Sequence, residues 1–359
     1  MIFEELLMLM KRRGASDLHI SAGSPPILRV DGKLIAADEK ILSGDECQKL
    51  IYSVLNESQR HKFEEMSELD SSFSLKEVGR FRLNVFRQKG FVGAAVRLIP
   101  QETESFEQLG LPQVIYEVSK LPKGLILVTG PTGSGKSTTL ASIINHINEN
   151  RALHILTIED PIEFVHPHKK SIVNQREIGD DCRNFSNALR HVLRQDPDVI
   201  LVGEMRDLET VATALTVAET GHLVFATLHT NDAIGTINRI IDVFPSNQQE
   251  QIRVQLSFVL EAVFSQQLLQ HSSGHGRAMA CEVLIATTAI RNLIREVKIE
   301  QIHSLIQAGA KYGMQTMNQS LCSLYNRKMI SYQAAIESTL FPDELKKLLA
   351  QKTEVKIHG

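Results

Sequence analysis

Residues 125–147 read LILVTGPTGSGKSTTLASIINHI, and they indicate the class of the fold. An apolar run at 125–129 leads into a glycine-rich loop, and a helical pattern follows that loop. The loop, GPTGSGKST at 130–138, matches the phosphate-binding motif G-x-x-x-x-G-K-[ST], which requires a strand before it and a helix after it. The sequence therefore predicts an α/β domain that binds a nucleoside triphosphate.

Each part of this phosphate loop (residues 130–138) has an expected role. Its glycines let backbone N–H groups turn towards an anion, and the helix N-terminus adds a positive dipole. Lys136 is expected to reach the β- and γ-phosphates, and the Ser137 hydroxyl to bind Mg²⁺. We expect every residue of the loop to take part in nucleotide binding: Gly130, Pro131, Thr132, Gly133, Ser134, Gly135, Lys136, Ser137 and Thr138.

Further apolar runs extend this domain. HILTI (154–158), DVILVGE (198–204) and HLVFATL (222–228) have the continuous hydrophobicity of buried parallel strands, and helical segments separate them. From about residue 246 to 348 the pattern is mostly helical, which predicts a C-terminal helical bundle on the same domain.

The preceding residues have a different pattern. Helical patterns at 1–14 and 43–66 and a strand pair, GRFRLNVFR (79–87) and FVGAAVRLI (91–99), predict a small α+β domain. We place this domain at 1–99, a linker at 100–114, the nucleotide-binding domain with its helices at 115–348 and a polar, frayed tail at 349–359.

Two groups of carboxylates lie at the ends of predicted strands, where parallel α/β sheets bind their ligands. Glu204 follows VILV and is the candidate base that activates water, the alternative being a solvated charge. Gly203 stands where many phosphate-loop enzymes place a metal-binding Asp, which puts direct Mg²⁺ ligation there in doubt. Glu159, Asp160 and Glu163 are candidates for the metal shell, directly or through water, or else cap a turn or pair with arginine.

Histidines and arginines supply further candidates. His222 and His229 flank one apolar strand, and a histidine beside a γ-phosphate would sense hydrolysis; the alternative is a histidine satisfied by a carbonyl. Arg82 and Arg97 fall opposite one another when the hairpin folds about Lys89. Like charges there are destabilising without an anion nearby. A triphosphate is one such anion, and solvated arginines are the alternative.

Composition excludes several classes of protein. In 359 residues, Lys+Arg number 39 against 42 Asp+Glu, for a net charge of −3, and Trp is absent. A strongly basic nucleic-acid binder is therefore not expected. The four cysteines include no CxxC pair, so a zinc site of that spacing is not expected either. The first residues lack the order of a signal peptide, and no apolar stretch is long enough to insert in a membrane.

Taken in order, the motifs resemble those of the type II/IV secretion and pilus ATPases. The phosphate loop lies at 130–138, an Asp box at 158–164, a Walker B segment at 198–204 and a His box at 221–232. ASDLHI (15–20) and AIRNLIRE (289–296) are similar to the pilus-retraction branch of that family. Without the family, AIRNLIRE is an amphipathic helix in which Arg291, Arg295 and Glu296 face water.

The resemblance implies a PAS-like N-terminal domain, a RecA-like ATPase domain with C-terminal helices, and a homohexameric ring. It implies ATP and Mg²⁺ as cofactors, and Glu204, Glu163, Arg82, Arg97, His222 and His229 as catalytic residues. The expected function is a motor that couples ATP hydrolysis to type IV pilus retraction, and hence to twitching motility. The expected partner is an inner-membrane platform protein, together with a possible sister ATPase. The protein would act in the cytoplasm, peripheral to the inner membrane.

Three other functions stay open from the sequence. A pilus-extension or secretion ATPase is one, although such relatives carry a four-cysteine zinc motif that this chain lacks. A second is a low-turnover regulator of a sister motor. A DNA translocase on the same core is the third, disfavoured by the charge balance.

Overall fold

The structure, a computed structural model, describes residues 2–357 except Asp31, Glu77 and Gln101, with side chains up to residue 350. By its internal contacts the chain divides into two units. The N-terminal unit is Met1–Glu102 with Glu163–Val165, and the C-terminal unit is Thr103–Ile162 with His166–Gly359.

The described part of the N-terminal unit is an antiparallel sheet of six strands with three helices, as the predicted α+β class requires. The sheet order is β3-β2-β1-β6-β5-β4. Its strands are β1 (Asp17–Ile20), β2 (Ile27–Val30), β3 (Lys33–Ala36), β4 (Glu68–Leu75), β5 (Gly79–Gln88) and β6 (Phe91–Ile99). Its helices are α1 (Phe3–Arg12), α2 (Gly44–Tyr52) and α3 (Glu57–Met66).

Local sequence explains several of these elements. Helix α1 buries Phe3, Leu6, Leu7 and Met10 against the sheet side chains. Ser43 and Glu46 form the capping box that starts α2. The β5–β6 hairpin turns at Lys89 and Gly90, whose φ angles of 50° and 83° match the two-residue turn that suits twisted strands.

The C-terminal unit has the predicted α/β class. Its sheet order is β13-β12-β7-β11-β10-β8-β9, and the pairings from β12 to β9 are parallel. The strands are β7 (Gly124–Thr129), β8 (His154–Glu159), β9 (Ile172–Glu177), β10 (Val199–Val202), β11 (Leu223–Leu228), β12 (Leu260–Gln270) and β13 (Arg277–Ile285). All residues of β7, β10 and β11 are buried, as continuous apolar strands predict.

Helices cover both faces of this sheet, where two apolar clusters bury them. The helices are α4 (Phe106–Leu109), α5 (Ile115–Val118), α6 (Lys136–Asn150), α7 (Phe185–Val192), α8 (Leu208–Glu219), α9 (Ala233–Asp242), α10 (Ser246–Val259), α11 (Thr288–Arg295), α12 (Ile302–Ala308), α13 (Met317–Asn326), α14 (Tyr332–Glu337) and α15 (Pro342–Ile357). Short 3₁₀ turns lie at Ile299–Gln301 and Ala310–Tyr312. In the described part of the chain, no helix is both long and apolar enough to cross a membrane.

The prediction of a helical bundle over 246–348 was wrong in part. β12 and β13 lie inside that range and pair with each other along nine residue pairs. The segment LEAVFSQQLLQ contains Leu, Ala, Glu and Gln, which favour helix, but β7 offers it an open parallel edge. Tertiary pairing overrides that local preference.

Two other boundaries also differ from the sequence predictions. Part of the expected linker, 100–114, belongs to the C-terminal unit. Phe106 is 3% exposed in its core, because Ser105 and Gln108 form a capping box that starts α4. The tail that was expected to fray, 349–359, lies mostly beyond residue 350, the last residue whose side chain the structure describes. The last helix, α15, ends at Ile357.

Candidate active site

The phosphate loop connects β7 to α6 at the carboxyl edge of the parallel sheet, as predicted. Gly130 has a φ of +140°, and a Cβ there would lie 2.3 Å from the Gln266 carbonyl oxygen. Gly135, at φ +90°, is the N-cap of α6. The loop therefore needs glycine at both positions, and it leads directly into a helix N-terminus, whose free backbone N–H groups suit an anion.

Lys136 of the phosphate loop is buried against the first residues of that loop. It is 9% exposed, and its Nζ donates to the carbonyl oxygens of Gly130 at 2.8 Å and Pro131 at 3.1 Å. Burial lowers the pKa of Lys136, and the charge of Glu204 opposes that shift. An anion at the loop would meet a cation that is already desolvated, where charge interactions are strong.

Two hydroxyls of the loop are available to a ligand. Ser137 is exposed in the first turn of α6. Ser134 Oγ is buried and has no hydrogen-bond partner among the described residues. An orphaned buried hydroxyl beside a glycine-rich helix start fits a phosphate oxygen, so these residues suit the nucleotide that the motif predicts.

Glu204 lies just beyond β10 and contacts two cationic or titratable side chains. Its Oε1 is 2.7 Å from Arg206 Nε and 3.1 Å from His229 Nε2. His229 Nδ1 lies 3.4 Å from Lys136 Nζ. The structure thus brings together three residues that the motifs predict separately: the phosphate-loop lysine, the candidate base and one histidine.

The charges around Glu204 keep it ionised. Burial acts to raise the pKa of this carboxyl, but the hydrogen bond from Arg206 and the charges of His229 and Arg206 lower it overall. Arg206 is the functional candidate that the sequence analysis missed. Its signal was its place two residues after Glu204 in VGEMRD.

The carboxylates at the end of β8 are partly engaged already. Glu159 Oε1 accepts hydrogen bonds from Thr157 Oγ1 at 2.6 Å and Gln175 Nε2 at 3.2 Å. A Cβ on Gly203 would lie 3.2 Å from the Ile158 carbonyl oxygen. A side chain at position 203 would therefore require the end of β8 to give by a few tenths of an ångström, and this chain has glycine where the usual metal-binding aspartate stands.

The described residues contain no group of three His, Cys, Asp or Glu side chains placed to hold a metal ion. Mg²⁺ fits this site as it fits others that keep water and substrate phosphate oxygens as ligands. Ser137 is placed to add one protein oxygen to such a shell. Metal roles for Glu159, Asp160 and Glu163 stay predictions, and Glu163 groups with the N-terminal unit.

His222 lies away from the phosphate loop of its own chain. It precedes β11, its carbonyl oxygen accepts from Gly124 N at 3.0 Å, and His229 follows the other end of the strand. Strand length alone separates the two histidines by about 20 Å. His222 Nδ1 is 3.1 Å from the Val217 carbonyl oxygen. This placement argues against a γ-phosphate contact by His222 within one chain.

Arg82 and Arg97 are direct cross-strand partners in the β5–β6 hairpin, as the folding-back argument predicts. The expected anion near the two arginines is present at Arg97 as an acidic side chain, and a triphosphate in that role stays a prediction. Its Nε lies 2.8 Å from Asp17 Oδ1, and Asp17 belongs to the neighbouring strand β1. Asp17 therefore offsets the charge of Arg97, and only the strand order brings it there.

A family comparison identifies the chain. A model of the family described as "Type II/IV secretion system protein" matches residues 2–355. The chain belongs to this family.

Relatives within the type II/IV secretion family confirm the narrower resemblance to its pilus-retraction branch. The chain is 51% identical to the type IV pilus retraction ATPase PilT of Pseudomonas aeruginosa, over 94% of this chain and 98% of that protein. It is 52% identical to a twitching motility protein of Neisseria gonorrhoeae, over 86% of this chain and 83% of that protein.

A solved structure confirms the fold class of this family member. The crystal structure of the pilus retraction motor PilT with bound ADP is 55% identical. It superposes with a TM-score of 0.88 and covers 95% of this chain and 98% of that one. The RecA-like ATPase fold expected from the motifs is therefore the fold of this chain.

Proposed function

We propose that this chain is a motor ATPase that powers type IV pilus retraction. The observation that carries the proposal is the contact set Lys136–His229–Glu204, in which the phosphate-loop cation, a histidine and an ionised carboxylate meet at the carboxyl edge of the sheet. Similarity to a pilus retraction ATPase over almost the full length of both chains supports the pilus-retraction role.

Different residues of the site take different roles in ATP hydrolysis. Residues 130–138 bind the phosphates of ATP through backbone N–H groups and Lys136, and Mg²⁺ supplies positive charge to those phosphates when bound. Glu204 orients the attacking water and accepts its proton, because it is an ionised carboxylate at this edge of the sheet. His229 contacts both Lys136 and Glu204, so it is placed to respond when the γ-phosphate leaves.

The rest of the proposal follows the family. The protein assembles as a homohexamer, acts on the cytoplasmic side through an inner-membrane platform protein, and works beside a sister ATPase where one exists. Arg82 and Arg97 have the family's role of stabilising the charge that develops on the transferred phosphoryl group, and Arg97 also pairs with Asp17. Nucleic acid is not a partner.

The first test is Mg²⁺-dependent ATP hydrolysis by the purified full chain beside Glu204→Gln. We expect wild-type turnover and at least about a 100-fold loss in the variant, with ATP still bound, because the amide cannot accept the proton. Exposed Glu250→Gln is the matched control and should keep the wild-type rate. Wild-type turnover by Glu204→Gln would refute the base assignment.

Deletion of the gene separates retraction from the alternatives. Cells without a retraction motor should keep their pili and lose twitching, since assembly continues without disassembly. Loss of pili would instead favour an extension ATPase. Nucleotide binding without turnover by the wild type would favour a regulator of a sister motor.

A further inference from the structure

Glu282 is a buried carboxylate that the proposed chemistry does not use. It lies on β13, is 5% exposed, and accepts a hydrogen bond from Ala233 N at 2.8 Å. The backbone of Met317 also hydrogen-bonds to it. Ala233 is the first residue of α9 and Met317 the first of α13. One carboxylate therefore binds the N-terminal ends of two helices, which each leave N–H groups without intrahelical partners.

Burial and hydrogen bonding act on the pKa of Glu282 in opposite directions. Burial raises the pKa of Glu282, whereas the N–H groups of Ala233 and Met317 and the charge of His303 oppose the rise. A carboxylate removed from water is tolerated only when its hydrogen bonds are made. Loss of these two contacts would leave the first N–H of each helix without this acceptor, although Asp232 and Thr316 would still cap the N–H groups of Gly235 and Gln319.

The helix that Glu282 holds is continuous with the loop that carries His229. Residues 229–232, here the His229 loop, run from β11 directly into α9. Thr230 Oγ1 lies 2.6 Å from Thr236 Oγ1, and Thr236 Oγ1 donates to the Asp232 carbonyl oxygen at 2.7 Å. The loop is thus tied to the first turn of α9, whose first N–H is held by Glu282.

The sheet places Glu282 level with the start of the phosphate loop. Glu282 pairs with Ser265 of β12, Ser265 pairs with Thr129 of β7, and Thr129 pairs with Leu228 of β11. The Thr129 hydroxyl donates to Ser265 Oγ at 2.8 Å. The phosphate loop leaves the sheet after Thr129, and the His229 loop leaves it after Leu228. Glu282 therefore anchors α9 to the same row of the sheet from which both loops emerge.

Residues of the C-terminal helices line a cavity beside Glu282. A cavity of about 30 Å³ is lined by Asp232, Glu282, His303 of α12 and Asn318 of α13. Asn318 Nδ2 donates to Glu344 Oε2 of α15 at 3.0 Å. Helices that start far along the chain thus line the same cavity as Asp232, the last residue of the His229 loop.

We propose that Glu282 is a positioning residue for ATP hydrolysis, which holds the His229 loop in register with Glu204 and Lys136 and joins it to the C-terminal helices. The proposal rests on the proposed ATPase function. Small displacements of a catalytic group cost large factors in rate, so a carboxylate without contact to substrate would still control turnover.

Steady-state ATP hydrolysis by the full chain tests this role. Glu282→Gln keeps the side-chain volume but has one oxygen, so its NH₂ group faces a backbone N–H. We expect kcat to fall about tenfold or more, with ADP affinity within about twofold of wild type. Exposed Glu250→Gln makes the same chemical change away from the site, is the matched control and should keep kcat. Wild-type kcat in Glu282→Gln would overturn the proposal.

A double-mutant cycle shows whether Glu282 acts through His229. In a His229→Ala background, Glu282→Gln should change kcat by less than about twofold, because the side chain that it positions is gone. A merely stabilising residue would lower kcat by the same factor in both backgrounds, and that result would overturn the proposal.

Hydrogen exchange separates this inference from the ATPase assignment. Exchange of amides 229–237 should accelerate about tenfold or more in Glu282→Gln or in Glu282→Leu, which removes both acceptors, and not in Glu250→Gln. Absence of turnover in the wild type would contradict the proposed function. Unchanged exchange in both Glu282 variants would contradict the anchoring role, whatever the wild-type activity.

Discussion

At the residue scale, a single buried cation connects the phosphate loop to the rest of the site. Lys136 donates to two loop carbonyls and lies beside His229, which in turn contacts Glu204. Chain folding, not sequence proximity, brings these side chains together, since they follow three different strands.

Lys136→Ala should weaken ATP and ADP binding about 10- to 100-fold and abolish turnover, because it removes charge-assisted hydrogen bonds to phosphate. Calorimetric titration of the nucleotide measures this. Lys123→Ala, at an exposed position before the same strand, is the matched control. Wild-type affinity in Lys136→Ala would show that the loop binds nucleotide through its backbone alone.

Asp17 carries a pH-dependent part of the stability of the N-terminal unit. Burial acts to raise its pKa, but hydrogen bonds from Ser16 and Arg97 and the charge of Arg97 lower it overall. Because the pKa of Asp17 is lower in the folded state, its ionised carboxylate stabilises the fold at pH values above the unfolded pKa of about 3.9. That stabilisation is lost as the pH falls through the folded pKa.

Asp17→Asn should therefore destabilise the N-terminal unit by about 1–3 kcal/mol at pH 7, with a difference that shrinks as pH falls below about 4. Urea unfolding followed by far-ultraviolet circular dichroism measures it. Exposed Glu39→Gln serves as the control. A difference that stays constant with pH would mean that the Asp17–Arg97 pair contributes nothing to stability.

At the element scale, helix α11 shows that polar residues of an amphipathic helix can make structural contacts instead of facing water. The expectation that Arg291 and Arg295 face water was wrong. Arg291 donates to the carbonyl oxygens of Ser257 and Phe258, both at 2.9 Å, and to Glu261 Oε1 at 2.9 Å. Arg295 Nη1 donates to Ser257 Oγ at 3.1 Å. The last turn of α10 leaves carbonyls without partners, and Arg291 satisfies two of them.

Arg291→Lys should consequently destabilise the C-terminal unit by about 2 kcal/mol, although charge is kept, because an ammonium cannot reproduce the guanidinium's planar set of donors. Calorimetric melting of the full chain checks this. Lys298→Ala breaks only an exposed pair with Glu296 and should melt close to wild type. Equal melting of Arg291→Lys and wild type would show that the three hydrogen bonds of Arg291 to Ser257, Phe258 and Glu261 add no stability.

At the scale of the whole molecule, the proposed hexamer predicts cooperation between sites. Preassembled mixtures of wild-type and Glu204→Gln chains should lose more activity than the fraction of inactive chains, because each chain in a closed ring contacts two neighbours. A mixture in equal parts should retain well under half of the wild-type rate. Strictly proportional loss would indicate independent sites.

The sequence alone predicted the elements whose signal is local. The phosphate loop, its flanking strand and helix, the buried parallel strands and the Ser43 capping box depend on neighbours within a few residues, and the structure has each of them. The order of motifs was also sufficient to predict the family. Strand pairing was harder to predict from the sequence. Strands β12 and β13 were mistaken for helices, because their residues favour helix unless a neighbouring strand offers an edge to pair with.

The sequence by itself determined the fold class, the family and the phosphate-binding loop, since periodicity, glycine placement and motif order need no knowledge of distant contacts. Only the tertiary structure decided which charges meet. It placed Asp17 against Arg97, Arg206 and His229 on Glu204, and the carboxylate of Glu282 at two helix starts. The physical reason is that strand order sets these distances, and strand order follows from how the whole chain buries its apolar surface.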